Sequence, residues 1–135
     1  MKKYIGTKII EAKKAEKDGR KGYAVRYKDG YESWSPLEAF EEAYHCIDDG
    51  LTFGEAIQLM KKGAKIARKG WNGKGQYVQL ATGISYKTVN GGDIVNCEHE
   101  AIGNKAIAFI GTSGVQMGWL ASQADMLAED WYVVE

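Results

Sequence analysis

The stretch LTFGEAIQLMKKGAKIAR, residues 51–68, contains a helix with both of its end signals and the strand that follows it. Thr52 and Glu55 have the spacing of a capping box, in which each side chain binds a backbone amide at the start of a helix. Gly63 fits the left-handed position that ends a helix. Three apolar residues between these signals recur at helical spacing and predict one buried face. They are Phe53, Ile57 and Met60.

The segments after this helix predict a sheet. Ile66 faces inward in the first of them, and the others are rich in alternating apolar, β-branched and aromatic residues. Residues 122–130 predict a helix of about two turns. The predicted fold class is α+β, a mostly antiparallel sheet with short helices. The predicted strands are 64–68, 76–81, 105–111 (the most buried), 113–120 and 131–135, with short strands and a long loop in 83–105.

An N-terminal module, residues 1–50, precedes a second domain, residues 51–135. The module is predicted to be a β-hairpin followed by a helix, because residues 3–10 and 23–34 are β-prone and a turn signal falls at 28–30. The charged segment 11–22 is predicted to be a loop.

The helix of this module has a clear start signal. We expect Ser35 to be its N-cap, with Pro36 at the first helical position and Glu38 at the third. No motif in the module predicts its role.

Composition limits the classes of function. Of 135 residues, 44% are hydrophobic, which is enough for a packed core. The 18 basic and 18 acidic residues cancel, which argues against a grip on DNA or RNA through a basic face. The charged first twenty residues do not have the form of a secretion signal, and the longest apolar run is too short for a bilayer. We therefore expect a cytoplasmic chain with no membrane or nucleic-acid partner.

The stretch GWLASQADMLAEDW, residues 118–131, places two tryptophans around the last predicted helix. Ser122 and Asp125 have N-cap and N3 spacing, which can serve only to hold the helix or can also present free amides to a phosphate. Asp125 would then accept hydrogen bonds from ribose hydroxyls. Trp119 comes just before the helix, and Trp131 is assigned to the core.

A second tryptophan-containing motif is GWNGKG, residues 70–75. Trp71 lies in a glycine-rich turn with little local core to join, so we expect an exposed ring that stacks on a base. Lys74 is either a solvated lysine or a point charge for a phosphate. The motif lacks the spacing of a P-loop.

Catalytic patterns are weak. The segment CEHE, residues 97–100, offers thiol, carboxylate and imidazole groups, but one short cluster without a second half is more typical of a solvated loop. No serine lies in a nucleophile elbow. We predict no catalytic residues, no metal site and no cofactor.

Two segments of the second domain resemble a known family. LTFGEAIQLMKKGAKIARKGWNGKG and WLASQADMLAEDWYVVE are similar to the signature segments of the Thoeris anti-defence 2 family, small phage proteins that counter the bacterial Thoeris immune system. Residues 77–117 depart more from the family.

The resemblance implies a sponge that binds cyclic ADP-ribose isomers without cleaving them. It further implies a homotetramer with pockets where subunits meet, cyclic dinucleotides as additional ligands of some members, and action in the cytoplasm of the infected bacterial host. The residues that match the motifs and are implied to face the ligand are Trp71, Asn72, Trp119, Ser122, Gln123, Asp125 and Met126.

Two alternatives stay open. In the first, the chain is a cyclic-nucleotide-degrading hydrolase whose CEHE segment holds a metal. In the second, it is a phage module that grips a host protein through its aromatic side chains. Both differ from a sponge in what happens to an added nucleotide.

Overall fold

The computed structural model describes residues 1–71, 75–82, 84–91, 94–97 and 105–135. The chain divides into two units, Met1–Cys46 and Ile47–Glu135, each with its own internal packing. All paired strands in both units are antiparallel. The predicted α+β class is confirmed.

Unit 1 is a three-stranded sheet with strand order β1-β2-β3 and one helix. A two-residue turn joins β1 to β2, and both of its residues, Asp18 and Gly19, have positive φ (52° and 76°), as an Asp-Gly hairpin turn requires. The helix packs on the sheet through stacked rings of Tyr23 and Phe40, whose centroids are 4.0 Å apart. The elements are β1 (Glu11–Lys17), β2 (Arg20–Arg26), β3 (Glu32–Pro36) and α1 (Leu37–Ala43).

The strand positions in unit 1 correct the sequence prediction. Residues 11–22, predicted to be a loop, form β1, the turn and the start of β2. The prediction was wrong because β1 has no buried residue and therefore no apolar alternation to reveal it. Residues 3–10, predicted to be a strand, lie outside every strand.

The start of α1 also differs from the prediction. Ser35 is not the N-cap, because it is paired with Tyr23 inside the sheet and β3 continues to Pro36. Pro36 occupies the N-cap position with extended backbone (φ −57°, ψ 148°) and no side chain caps the helix. A residue before proline is biased towards extended backbone, which keeps Ser35 in the strand.

Unit 2 contains a five-stranded sheet with order β10-β4-β5-β8-β9, a separate pair β6-β7 and two helices. No helix among the described residues has the length and apolarity needed to cross a bilayer. The elements are α2 (Phe53–Met60), β4 (Lys65–Arg68), β5 (Tyr77–Ala81), β6 (Ile84–Lys87), β7 (Ile94–Cys97), β8 (Ala106–Gly111), β9 (Gly114–Met117), α3 (Gln123–Leu127) and β10 (Trp131–Val134).

The core of unit 2 lies between α2 and the β10-β4 end of the sheet. The predicted capping box of Thr52 and Glu55 is confirmed, with both reciprocal hydrogen bonds present. Gly63 has φ 95°, as predicted for the residue that ends α2. The buried residues of this core are Leu51, Ala56, Met60, Ile66, Val78 and Trp131.

Two details of unit 2 differ from expectation. The strand β8 is less buried than predicted, because only Ala108 is buried in it, whereas both Ile66 and Ala67 of β4 are. Both strands lie between two others, but β4 also packs against α2. The helix α3 has five residues and ends at Leu127, short of the predicted 130.

Candidate functional site

Three tryptophans of unit 2 contact one another. The ring centroids of Trp71 and Trp131 are 5.5 Å apart, those of Trp71 and Trp119 are 6.1 Å apart, and those of Trp119 and Trp131 are 6.2 Å apart. The interplanar angles of 69–79° make all three contacts edge-to-face. We call these three residues the tryptophan cluster. Such contacts contribute about 0.5–1.5 kcal/mol each beyond the area they bury.

Burial separates the members of the cluster. Trp131 is fully buried, as predicted, and its Nε1 donates to the backbone oxygen of Asp125 at 2.9 Å. Trp71 and Trp119 are half-buried. The expectation that Trp71 has little core to join is wrong, because its ring also packs on Phe109 at 5.6 Å. The sequence missed this contact because Phe109 lies 38 residues further along the chain, on β8.

The helix α3 begins beside the cluster with the predicted capping box. Ser122 Oγ accepts from the backbone amide of Asp125 at 3.1 Å. In return, Asp125 Oδ2 accepts from the backbone amide of Ser122 at 2.9 Å and from its hydroxyl at 2.8 Å. The carboxylate thus fills part of the helix start that the sequence analysis offered to a phosphate.

Arg68 of β4 holds α3 from the sheet. Its Nη1 donates to Asp125 Oδ1 at 2.9 Å, and its Nε donates to Asp130 Oδ1 at 2.9 Å. The guanidinium therefore binds a residue of α3 and a residue in the segment between α3 and β10. Arg68 was not among the residues predicted to form the site. The signal was a charged residue two positions after the inward-facing Ile66, and so on the buried face of its strand.

The charges of this ion pair stabilise each other. Burial raises the pKa of Asp125, but hydrogen bonds from Ser122 and Arg68 lower it further than burial raises it, so the pKa lies below its ordinary value. The hydrogen bonds to Asp130 and Asp125 raise the pKa of Arg68. Both groups are charged at neutral pH, and each oxygen of Asp125 already accepts from the protein.

The other predicted site residues divide into two groups. Gln123 and Met126 are exposed on α3, with 40% of Met126 accessible. Asn72 and Lys74 lie outside the described residues, so the structure does not place them. The short segment 118–122 between β9 and α3 brings together Trp119, Ser122, Gln123, Asp125 and Met126.

This geometry limits how a planar guest can bind. Trp71 and Trp119 touch edge-to-face, so a base can stack on the outer face of one ring but not between the two. Ser122 and Gln123 are exposed next to the cluster and carry a hydroxyl and an amide suited to polar groups of a ligand. Asp125 binds Ser122 through Oδ2 and Arg68 through Oδ1, and Oδ1, with one protein donor, can accept a further hydrogen bond.

Metal-binding groups are sparse in the part of the chain that the structure describes, where no three His, Cys, Asp or Glu residues lie close enough together to hold an ion. Residues 98–100 of the CEHE segment lie outside that part.

Comparison with known proteins identifies the family of this chain. The model of the Thoeris anti-defense 2-like domain matches residues 51–134. A relative named Thoeris anti-defense 2, from Bacillus phage SP01, is 36% identical over 88 residues, which are 62% of this chain and 94% of the relative. The match contains the tryptophan cluster, Arg68 and α3, and it supports a phage anti-defence role. The resemblance found in the sequence is confirmed: the chain belongs to the Thoeris anti-defense 2-like family.

Proposed function

We propose that the chain binds and sequesters cyclic ADP-ribose-type immune signalling nucleotides without cleaving them, and so blocks activation of the Thoeris effector. Cyclic dinucleotides are a second class of ligand in this proposal. The chain acts in the cytoplasm of the infected bacterial host. The observation that carries the proposal is the half-buried pair Trp71 and Trp119 beside α3, within a domain of an anti-defence family.

The chemistry of the site suits this class of ligand. An aromatic ring that stacks on a base contributes about 1–3 kcal/mol, and both rings keep part of their surface accessible. The hydroxyl of Ser122 and the amide of Gln123 can bind ribose or phosphate oxygens. The family name describes opposition to a defence system, which suggests a non-catalytic role.

Self-association is part of the proposal, with a homotetramer as the expected form. Among the described residues of unit 2, four large apolar side chains are more than 60% exposed: Val89, Val115 (67%), Leu120 (89%) and Leu127 (77%). Exposed apolar groups of this kind are typical of surfaces that bind another protein. Leu120 and Leu127 flank the start and end of α3, so subunit contact there would also enclose a ligand at the tryptophan cluster.

Recovery of the ligand separates sequestration from catalysis. The protein is mixed with a cyclic ADP-ribose isomer, freed of excess ligand, denatured by heat and examined by mass spectrometry. We expect the intact nucleotide at a fixed stoichiometry. A cleaved product would reject the proposal in favour of the hydrolase alternative.

A thermal-shift assay separates sequestration from the interaction-module alternative. A ligand at 100 times its Kd stabilises the folded state by about 2.7 kcal/mol, so we expect a rise of the order of 10 °C in Tm. Trp119→Ala should lose most of this rise while still melting cooperatively. Glu129→Ala, an exposed change two residues after the same helix, is the matched control. Absence of a shift with every cyclic ADP-ribose isomer and cyclic dinucleotide would contradict the proposal.

A further inference from the structure

Charge is unevenly distributed along this neutral chain. Residues 1–28 contain ten lysines and arginines against three acidic residues, whereas residues 29–46 contain five acidic residues and no lysine or arginine. Although the whole chain has no net charge, the basic and acidic residues of unit 1 are therefore separated along its sequence. Its β1-β2 hairpin is basic, and its helix α1 is acidic.

The register of the sheet assigns side chains to its two faces, because directly paired residues of antiparallel strands point to the same side. Tyr23 points towards α1, where it stacks on Phe40. The residues directly before and after Tyr23 in β2, and their paired partners in β1 and β3, point to the opposite side of the sheet. We call this side the Trp34 face. The basic part of the Trp34 face includes Lys13, Ala15, Lys17, Arg20, Gly22, Ala24 and Trp34. At the other end of the same face lie Glu32 and the ion pair of Glu11 with Arg26.

Trp34 lies flat on this face. A Cβ added at Gly22 would come within 2.5 Å of the Trp34 ring, so the indole occupies the space that a side chain there would need. The Trp34 Nε1 donates to the backbone oxygen of Ala15 at 2.9 Å. The ring is thus fixed by its edge to β1, and what it can offer a ligand is its flat outer surface.

Two cations lie over the same ring. The Lys17 Nζ is 5.9 Å from the ring centroid, and the Arg20 guanidinium carbon is 5.7 Å from it. Both side chains are exposed, as is Lys13 nearby. Among the described residues, none of these three cations forms a salt bridge. Exposed cation–π contacts are weak, so the cations can turn towards a stronger anionic partner.

We propose that the Trp34 face binds single-stranded nucleic acid. A base stacks on the outer surface of Trp34, and the neighbouring phosphates pair with Lys17, Arg20 and Lys13. Stacking on aromatic rings combined with a basic track is the general mode of single-strand recognition, and it tolerates any sequence because every base has a π-face. The proposal concerns unit 1 alone and does not depend on the ligand of the tryptophan cluster.

The geometry favours this partner over other polyanions. In a duplex the base faces are stacked inside and cannot reach a ring that lies flat on a sheet. Aromatic rings that anchor a protein to an anionic membrane insert into the membrane, whereas the Trp34 ring is held against the sheet by its N–H. An acidic protein surface would use the cations but has no need of the half-buried ring beneath them.

The test measures binding of the full chain to fluorescein-labelled 15-nucleotide single-stranded DNA and RNA by fluorescence anisotropy at several salt concentrations. The variant is Lys17→Gln/Arg20→Gln. The matched control is Lys61→Gln/Lys62→Gln, which removes the same charge from exposed residues of unit 2.

We expect the first variant to bind tenfold or more weakly at low salt, and the control to bind as the original chain does. The slope of log K against log salt should fall by about 1.4, because each phosphate contact on a single strand contributes roughly 0.7. Trp34→Leu should weaken binding by about fivefold or more. Circular dichroism melting checks that each variant is folded. Binding of either strand type supports the proposal, and the stronger of the two identifies the natural source.

Four results would overturn it: no binding of either oligonucleotide at 50 mM salt, equal loss in the variant and the control, a preference for duplex DNA, or co-sedimentation with phosphatidylglycerol vesicles without any binding of oligonucleotide. Should Trp34→Leu fail to fold, the salt slope of the lysine–arginine variant decides the question by itself.

Discussion

Replacing Arg68 with methionine should destabilise unit 2 by about 2–3 kcal/mol. A hydrogen bond to a charged group contributes about 1.5–3 kcal/mol, and Arg68 makes one to Asp125 and two to Asp130, the second of these at 3.5 Å. The side chains of Arg68 and Asp125 are 21% and 15% exposed, so little water screens that pair. The Asp130 side chain is 36% exposed, so solvent screening reduces the contribution of its pair with Arg68 to about 1 kcal/mol or less, which leaves a sum of about 2–3 kcal/mol. Methionine keeps most of the aliphatic packing, so the loss measures the polar contacts.

Urea denaturation followed by tryptophan fluorescence measures this loss, because the cluster beside α3 contains three of the four tryptophans. Arg26→Met is the matched control. It removes a 2.7 Å bond to Glu11 between side chains that are 55% and 75% exposed, so the midpoint should hardly move.

A double-mutant cycle with Asp125→Asn gives the coupling between the two charges, for which we expect about 1–2 kcal/mol. If Arg68→Met costs less than about 0.5 kcal/mol, or if the coupling vanishes, α3 is held by its apolar contacts and the reasoning from the ion pair is wrong.

The remaining predictions concern single groups. The pKa of Asp125 is lowered in the folded state, so its stabilising contribution is complete above the ordinary carboxyl value of about 3.9 and is lost as the pH falls through the lower folded value. The difference in urea midpoint between the original chain and Asp125→Asn should therefore shrink below pH 4, and an unchanged difference would contradict the lowered pKa. Thr52→Ala breaks the capping box of α2 and should cost about 1 kcal/mol in thermal or urea unfolding, so a neutral result would mean that the box is not formed in solution. Gly22→Ala should cost about 1–3 kcal/mol, because the new methyl group would meet both the backbone oxygen of Ser35 and the Trp34 ring, and a stable variant with unchanged near-ultraviolet circular dichroism would show that these groups do not close over Gly22. Trp119→Ala should weaken nucleotide binding by about 1–3 kcal/mol in calorimetry, and loss of cooperative folding instead would identify a core residue.

Local signals in the sequence predicted much of unit 2. The capping boxes at Thr52 and Ser122 and the left-handed Gly63 each depend on a few neighbouring residues, and the structure has all three. Burial of Ile66 and Trp131 followed from alternation and from the size of the indole. Such features are encoded within one turn or one strand, which is why one sequence suffices for them.

Contacts between residues far apart in the chain could not be predicted from the sequence. Arg68 and Asp125 are 57 positions apart, and nothing in either neighbourhood indicates the other. Trp71 was predicted to be exposed because its glycine neighbours resemble a surface turn, yet Phe109 and the other tryptophans supply its packing. In unit 1 the strand β1 is exposed along its length, so its pairing with β2 depends on the Asp18-Gly19 turn rather than on an apolar face.

The first and last segments of unit 2 are joined by backbone hydrogen bonds. Leu51 donates to the carbonyl of Trp131 at 2.9 Å, Trp131 donates back at 3.2 Å, and Val133 donates to the carbonyl of Ile47 at 2.8 Å. A domain whose two ends lie side by side tolerates fusion of another polypeptide at either end. It can also be inserted into a loop of another protein, because neither change breaks contacts inside the domain. Gene fusion should therefore cost such a domain little folding stability. A linker from Glu135 to Ile47 would likewise permit a circular permutant with new ends in another loop.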